Sequence, residues 1–147
     1  MTDWLAPLEA AALGLVAGSL LYRSLVLRPA IAHAIGVGEV LTALGAASHW
    51  TLWLAGSASG AALLLAVIRL AGRGSAVGAA LALLSFVGVL LWAAVPRKRL
   101  RCLERAWSDT AAQPDPTQVA RVESLDRALA LPSAAAALVA LIDLLLR

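Results

Sequence analysis

Four long apolar runs constrain this chain more than any other feature of its sequence. They cover residues 5–27, 50–71, 75–95 and 129–146. Because an α-helix rises about 1.5 Å per residue, each run is long enough, or nearly so, to cross a hydrocarbon layer of about 30 Å. The chain is 61% hydrophobic and only 14% charged, whereas soluble domains are about half apolar and a quarter charged. We predict a single all-α domain over residues 1–147, an integral membrane four-helix transmembrane bundle with cytoplasmic interfacial helices.

The uneven distribution of basic residues predicts how the bundle is oriented. With four spans, nine of the twelve Lys and Arg residues fall on one side and three on the other. A fifth span over residues 28–49 would divide them seven against five. Because cytoplasmic segments carry an excess of Lys and Arg, we predict four spans, with both termini outside a bacterial-type inner membrane. The net charge is only +3 and lies beside the spans, which favours the lipid bilayer as a partner and argues against nucleic acid.

The two cytoplasmic segments are predicted to be interfacial. Residues 28–49 contain Gly36, Gly38 and Gly45, and glycine disfavours a continuous helix. We therefore expect a short helix there that lies on, or re-enters, the inner face. Residues 96–128 carry apolar residues at spacings of three and four, which predicts two amphipathic helices. The polar turn at residues 113–116 would separate them.

Stripes of small residues predict which helix faces pack together, because close backbone approach drives helix association in lipid. Each of the first three spans has such a stripe, and each stripe leads at its cytoplasmic end to an aromatic or imidazole side chain. The stripes are Gly14 and Gly18 leading to Tyr22, Gly56 and Gly60 leading to Trp53 and His49, and Gly78, Ser85 and Gly88 leading to Trp92. We therefore expect these aromatic and imidazole groups to converge inside the bundle.

The predicted convergence defines a candidate site for a flat, hydrophobic, weakly acidic molecule. The candidate catalytic residues are His49, Tyr22, Arg28 and Arg97, and the candidate substrate-binding residues are Trp53, Trp92, Trp50 and His33. The alternative is that Tyr and Trp at this depth are interfacial anchors, as in any membrane protein. His33 and His49 are sixteen residues apart, with no Cys or carboxylate at ligand spacing, so no metal site is predicted.

Three further charges fall inside the spans, near their outer ends. Glu9, Arg69 and Asp143 lie within about two helical turns of the interface. At that depth an ion pair or a side chain reaching for the interface costs little. We interpret them as a structural ion pair rather than a proton path, because a proton path would need further ionisable groups near mid-membrane.

Several patches resemble a known membrane protein family. Residues 14–30 read GLVAGSLLYRSLVLRPA, residues 95–100 read VPRKRL, and Trp107 and residues 121–131 follow. These resemble the small four-span anthrone oxygenase-like family, in which the first helix ends in His-Pro-Ala and Pro-Thr-Asn-Arg-Arg-Leu follows the third span. The chain departs from the family pattern at three positions. Arg28 stands where the family has the His of His-Pro-Ala, and Lys98 stands where it has the Asn after the third span, unless that Asn is deleted. Asp126 stands where the family has the His that begins its last helix.

The resemblance implies a four-helix membrane bundle and, in some members, oxidation of an anthrone to an anthraquinone without a recognised metal motif. The first hypothesis is therefore a membrane-embedded oxidoreductase or tailoring enzyme acting on an aromatic, polyketide- or quinone-like substrate at the cytoplasmic end. His49 would be the general base, Tyr22 and the tryptophans would position the ring, and Arg28 or Arg97 would stabilise the phenolate or enolate. No cofactor is specified by the sequence.

Two other functions compete with this hypothesis. A non-catalytic subunit would use its small-residue faces to pack against partner helices or a second copy, and its basic helices to bind lipid. A small transporter is the weakest alternative, because the chain has no internal repeat and its spans lack mid-membrane ionisable groups.

Overall fold

The computed structural model describes residues 4–27, 37–72, 74–110 and 115–146; the side chains of some helical residues, among them 37–48 and Arg97, are not described. The described residues form four long helices: α1 (Leu5–Leu21), which continues as a π-helical segment (Tyr22–Leu27), α2 (Val37–Ala71), α3 (Ala76–Thr110) and α4 (Pro116–Leu145). All four contain a stretch long and apolar enough to cross a membrane. The predicted all-α four-helix membrane bundle is confirmed, and the protein is a multi-pass membrane protein.

The helices run up and down in the order of the chain. Each packs against the next in sequence, and α4 closes the bundle against α1. Residue 4, residue 146 and the turn between α2 and α3 lie at one end, called the loop end here. At the other end, two helices extend beyond their apolar stretches. α2 begins at Val37, whereas its apolar stretch begins at His49. α3 continues to Thr110, whereas its apolar stretch ends at Val95. These projections, residues 37–48 and 96–110, are called the arms, and that end is the arm end.

The arms correct two predictions. The separate interfacial helix expected within residues 28–49 is wrong for residues 37–49, which form the first turns of α2; residues 28–36 lie outside the described residues. One glycine costs a helix only about 1 kcal/mol relative to alanine, so Gly38 and Gly45 do not stop it. The amphipathic piece after Val95 is likewise a continuation of α3. The second piece begins at Pro116 and runs without a break into the last span, whose apolar stretch starts at Ala120 rather than at 129.

Local side-chain chemistry fixes where α3 and α4 begin. The Ser75 hydroxyl accepts a hydrogen bond from the Gly78 N–H at 3.0 Å, and the Asp115 carboxylate accepts one from the Thr117 N–H at 2.9 Å. Both side chains satisfy backbone donors that a helix start would otherwise leave unpaired. In the turn before α3, the Gly74 N–H donates to the Arg69 carbonyl at 2.6 Å. A Cβ at Gly74 would lie 2.7 Å from the Arg69 carbonyl carbon, so this turn requires glycine.

The core places large side chains of α1 against stripes of small ones. Leu13, Val16 and Leu20 of α1 and Val89 of α3 are among the largest fully buried side chains. The small buried residues recur every three or four positions along two helices: Ala55, Ala58, Ser59, Ala62 and Ala66 on α2, and Ala130, Ser133, Ala134, Ala137 and Ala140 on α4. Such residues let α2 and α4 approach α1 closely.

The small-residue prediction is confirmed for α3 and wrong for α1 and for part of α2. The Ser85 hydroxyl donates to the Ser133 carbonyl at 3.0 Å, and a Cβ at Gly88 would overlap the Ser133 hydroxyl. At Gly14, Gly18 and Gly56, by contrast, an added Cβ would meet nothing within 4 Å. The inner faces of α1 and α2 are formed by other residues, so these three glycines make no close helix contact within the described bundle.

Gly88→Ala is expected to destabilise the bundle, whereas Gly18→Ala is not. The added methyl at position 88 would overlap the Ser133 hydroxyl and lie 3.1 Å from the Ser133 Cβ. Overpacking of this kind costs roughly 1–3 kcal/mol. At position 18 the methyl meets open space and improves helix propensity. Thermal unfolding in detergent measures both, and Ser133→Ala should restore part of the loss in Gly88→Ala. Equal stability of the two glycine variants would contradict the close α3–α4 contact.

The start of α4 is expected to respond to pH through Asp115. Hydrogen bonds from the Thr117 backbone N–H and hydroxyl lower the pKa of this exposed carboxyl from its ordinary value of 3.8, and Arg121 adds to this effect. Because the folded pKa lies below the unfolded one, the cap stabilises the helix at neutral pH and is lost as pH falls through the folded pKa. Hydrogen exchange at the Thr117 amide should show this loss of protection. In Asp115→Asn the protection should no longer change over that pH range.

Candidate functional site

The predicted convergence of aromatic and imidazole groups inside the bundle is wrong for Tyr22, Trp53 and His49. Tyr22 and Trp53 are 58% and 66% exposed, and His49 is exposed as well. Trp50, a further predicted substrate-binding residue, is 77% exposed. The three α2 rings point outward because the buried face of α2 is its stripe of small residues, which leaves the bulky rings on the opposite surface. The His49 ring makes edge contacts with Trp50 and Trp53, at centroid distances of 6.5 and 6.4 Å. Exposed rings at the end of a span are typical of interfacial anchors.

Of the other predicted site residues, one lies in the core, and the structure does not describe the side chains of the rest. Arg28 and His33 lie outside the described residues, and Arg97 is described only as part of the α3 backbone. Their predicted roles therefore stay predictions. Trp92 is the predicted residue that does point into the bundle, and it leads to a polar cluster that the sequence analysis missed.

That cluster joins three helices at the arm end. Arg23 in the π-helical segment pairs with Asp126 of α4, with 2.7 Å between Nη1 and Oδ1. The same carboxylate oxygen accepts a hydrogen bond from Trp92 Nε1 of α3 at 2.7 Å. The Arg23 guanidinium also lies over the Trp92 ring, 4.8 Å from its centroid. Arg23, Trp92 and Asp126, called the arm-end cluster, are 5%, 3% and 4% exposed.

The arm-end cluster follows from the same periodicity that builds the core. Arg23 continues the buried stripe of Leu13, Val16 and Leu20 at a spacing of three, and Ser24 beside it is buried too. A π-helical turn, with its wider spacing of hydrogen bonds, often marks a functional or strained site. The Ser24 hydroxyl is buried and has no hydrogen-bond partner among the described residues. The sequence signal that could have identified Arg23 is its position: a charged residue that continues a buried apolar stripe at helical spacing.

Asp126 occupies the equivalent position on α4. It lies four residues after the buried Val122 and four before the buried Ala130. From the sequence alone, Asp126 stands out only as the position where the resemblance to the anthrone oxygenase-like family expects a His, and Arg23 is one of the nine basic residues that predict the orientation. Their pairing spans 103 positions of sequence, which no local pattern reveals.

A second ion pair closes the loop end. Arg69 of α2 donates to Glu9 of α1, with 2.7 Å between Nη1 and Oε2, which confirms the ion pair expected between them. Ser75, Gly78 and Asp143 line a cavity of about 10 Å³ beside this pair, which is room for about one water molecule. Glu9, Arg69 and these three residues are called the loop-end cluster.

The two clusters lie one near each end of the spans, with an apolar stretch between them. Glu9 and Arg23 are fourteen residues apart on one continuous helix, which corresponds to about 20 Å. Between the two levels, in residues 10–22, 50–68, 76–95 and 128–142, the described side chains include no Asp, Glu, Lys, Arg or His. Among the described residues there is also no group of three or more His, Cys, Asp or Glu side chains that could hold a metal ion.

Comparison with protein-family models, with curated proteins and with solved structures finds no match. The class of the protein therefore rests on its own fold and clusters: a multi-pass, all-α membrane bundle with a buried ion pair near its arm end and a partly buried one near its loop end. The resemblance to the anthrone oxygenase-like family stays a prediction.

A double-mutant cycle on Arg23 and Asp126 is expected to show strong coupling. Arg23→Met or Asp126→Leu alone leaves a buried charge without its partner, which costs roughly 3–5 kcal/mol. The double variant removes both charges and should lose much less than the sum, although Trp92 Nε1 then lacks an acceptor. Unfolding in mixed detergent micelles gives the free energies.

The matched control is Arg127→Met, which removes an exposed charge next to Asp126. It should change stability little, because exposed ion pairs contribute about 0–1 kcal/mol. If the losses of the two single variants simply add in the double variant, Arg23 and Asp126 do not stabilise the bundle through each other.

Proposed function

We propose that the protein is a non-catalytic membrane subunit, whose function lies in its contacts with lipid and with a partner helix. The observation that carries this proposal is the closure of the arm-end cluster. A general acid or base must come within hydrogen-bond reach of its substrate, yet Arg23, Trp92 and Asp126 are almost fully buried and bind one another. The predicted catalytic groups Tyr22 and His49 instead face outward from the bundle.

The proposed orientation places the arms in the cytoplasm and both termini outside. The arms and the start of α4 carry most of the basic residues, which are retained on the cytoplasmic side of a bacterial-type inner membrane. The fringe of exposed rings, Trp50, Trp53 and Tyr22, would then lie at the inner headgroup level. Four spans require both termini to be on the same side in either orientation.

The proposed partner contact is the outer face of α1 at Gly14 and Gly18. Two glycines four residues apart favour close helix association in lipid, and each costs helix propensity relative to alanine. Within this chain, Gly88 shows what such a position does when it is used, since Ser133 fills the space above it. Gly14 and Gly18 lie four residues apart, and an added Cβ at either would meet nothing within 4 Å, which supports a helix from a partner protein or a second copy as their neighbour.

Site-specific photo-cross-linking tests this contact. In a Cys102→Ser background, a benzophenone attached at Leu15→Cys lies on the exposed α1 face between the two glycines, and one at Leu64→Cys lies on the exposed face of α2. We expect a discrete protein adduct from position 15 in native membranes and lipid adducts from position 64. Adding Gly18→Leu should abolish the protein adduct. Lipid adducts alone from both positions would contradict a partner helix at α1.

The oxidoreductase hypothesis is the competing proposal, and one observation favours it. Asp126, which replaces the family's His, lies in the buried cluster at the arm end rather than on the surface. Under the subunit proposal, purified protein in nanodiscs shows no oxygen uptake with anthrones or hydroquinones beyond that of empty nanodiscs. Substrate-dependent uptake that is lost in His49→Ala but kept in the Arg127→Gln control would overturn the subunit proposal.

A further inference from the structure

A groove opens between the α3 arm and the start of α4, away from both buried clusters. Its volume is about 520 Å³, within the range of sites that hold small molecules. It is lined by Lys98, Arg99 and Cys102 of α3 and by Gln118, Arg121 and Val122 of α4. Neither buried ion pair contributes a side chain to this lining.

The lining of the groove is cationic on its rim and apolar at its base. Three of the six lining residues that the structure describes, Lys98, Arg99 and Arg121, carry a positive charge and are exposed, and none of these six is acidic. Val122 is buried and supplies an apolar wall. Such a combination matches a molecule that has an anionic group attached to an apolar body.

The depth of the groove coincides with the lipid headgroups. Lys98 and Arg99 follow the end of the α3 apolar stretch at Val95 by three and four residues, which corresponds to about 5–6 Å. The headgroup layer is about 5–8 Å thick on each side of the hydrocarbon core. Arg121 lies at the start of the α4 apolar stretch, which begins at Ala120, so both sides of the groove meet at this level.

We propose that this groove binds the phosphate headgroup of an anionic phospholipid. Basic pockets between membrane helices bind such headgroups, and each basic residue near the surface contributes to the attraction. A lipid headgroup fits the position of the groove better than a soluble phosphate does, because the groove lies beside the ends of the α3 and α4 apolar stretches. The proposal is independent of the α1 face and of catalysis, because no residue is shared with either.

The sole cysteine of the chain reports on the groove. Cys102 is exposed and is one of the lining residues, so a lipid in the groove covers it. The protein is placed in nanodiscs of phosphatidylcholine alone, of phosphatidylcholine with phosphatidylglycerol, and of phosphatidylcholine with inorganic phosphate in the buffer. We expect phosphatidylglycerol, and not inorganic phosphate, to slow the reaction of Cys102 with an uncharged maleimide. Native mass spectrometry should then find phosphatidylglycerol retained on the protein.

A charge-matched pair of variants separates a defined site from general surface attraction. Arg99→Gln/Arg121→Gln removes two lining charges, and Arg105→Gln/Arg127→Gln removes two exposed charges that do not line the groove. The first variant should weaken retention of phosphatidylglycerol about 25-fold, at about fivefold per charge, and should lose the protection of Cys102. The second should keep both, with unchanged elution and helix content in either variant.

Two results would overturn the proposal. Equal loss of retention in the two double variants would show that the whole basic surface, rather than the groove, attracts the lipid. Protection of Cys102 by inorganic phosphate as strong as that by phosphatidylglycerol would assign the groove to a soluble anion. Neither result bears on the cross-link from the α1 face, so failure here is distinguishable from failure of the subunit proposal.

Discussion

The ion pair between Arg23 and Asp126 is the contact on which the rest of the bundle depends. Lipid tails are as apolar as leucine, so burial alone does not drive transmembrane helices together. Polar contacts and close approach must do so instead. The Asp126 carboxylate binds Arg23 of the π-helical segment and Trp92 of α3, so one acceptor on α4 holds two other helices. In a medium of low dielectric such a pair is strong when complete and costly when broken.

The second pair completes a simple arrangement in which α1 is held at both ends. Glu9 binds Arg69 of α2 near the loop end, while Arg23 binds α4 near the arm end. Between them, Leu13, Val16 and Leu20 pack against the small residues of neighbouring helices. The α3–α4 interface has its own close contact at Gly88 and Ser133. Each helix is thus held by a polar or close contact as well as by apolar packing.

Sequence reasoning succeeded where the determining signal was local. Hydropathy over about twenty residues predicted the four spans, and the spacing of Ser85, Gly88 and Trp92 predicted the α3 face that meets α4. It was wrong for Gly14, Gly18 and the rings near His49 because a small-residue stripe identifies a face that permits close approach, without saying whether the neighbour belongs to the same bundle. In α2 the inner face is formed by a second stripe of small residues, from Ala55 to Ala66.

The arm-end cluster was missed for a different reason. Arg23 and Asp126 are charges near span ends, and such charges usually set topology or reach toward headgroups. Their burial depends on the π-helical segment and on the register of α4 against α1, which are properties of the assembled bundle. Local sequence also predicts separate helices at the two arms, because glycine and polar residues disfavour a helix locally. The helix hydrogen bonding of α2 and α3 nevertheless continues through both arms.

The separation of 103 residues between Arg23 and Asp126 has a consequence for biosynthesis. At roughly 5–20 residues per second, a ribosome needs about 5–20 s to make the partner of Arg23 after Arg23 itself. During that interval α1 is in the membrane with the lowest mean hydropathy of the four apolar stretches, 1.6, and with a guanidinium that must reach toward the interface for water. The ion pair that joins α1 to α4 can therefore form only after α4 has been synthesised, so the hold of α4 on α1 comes later than the insertion of α1 itself.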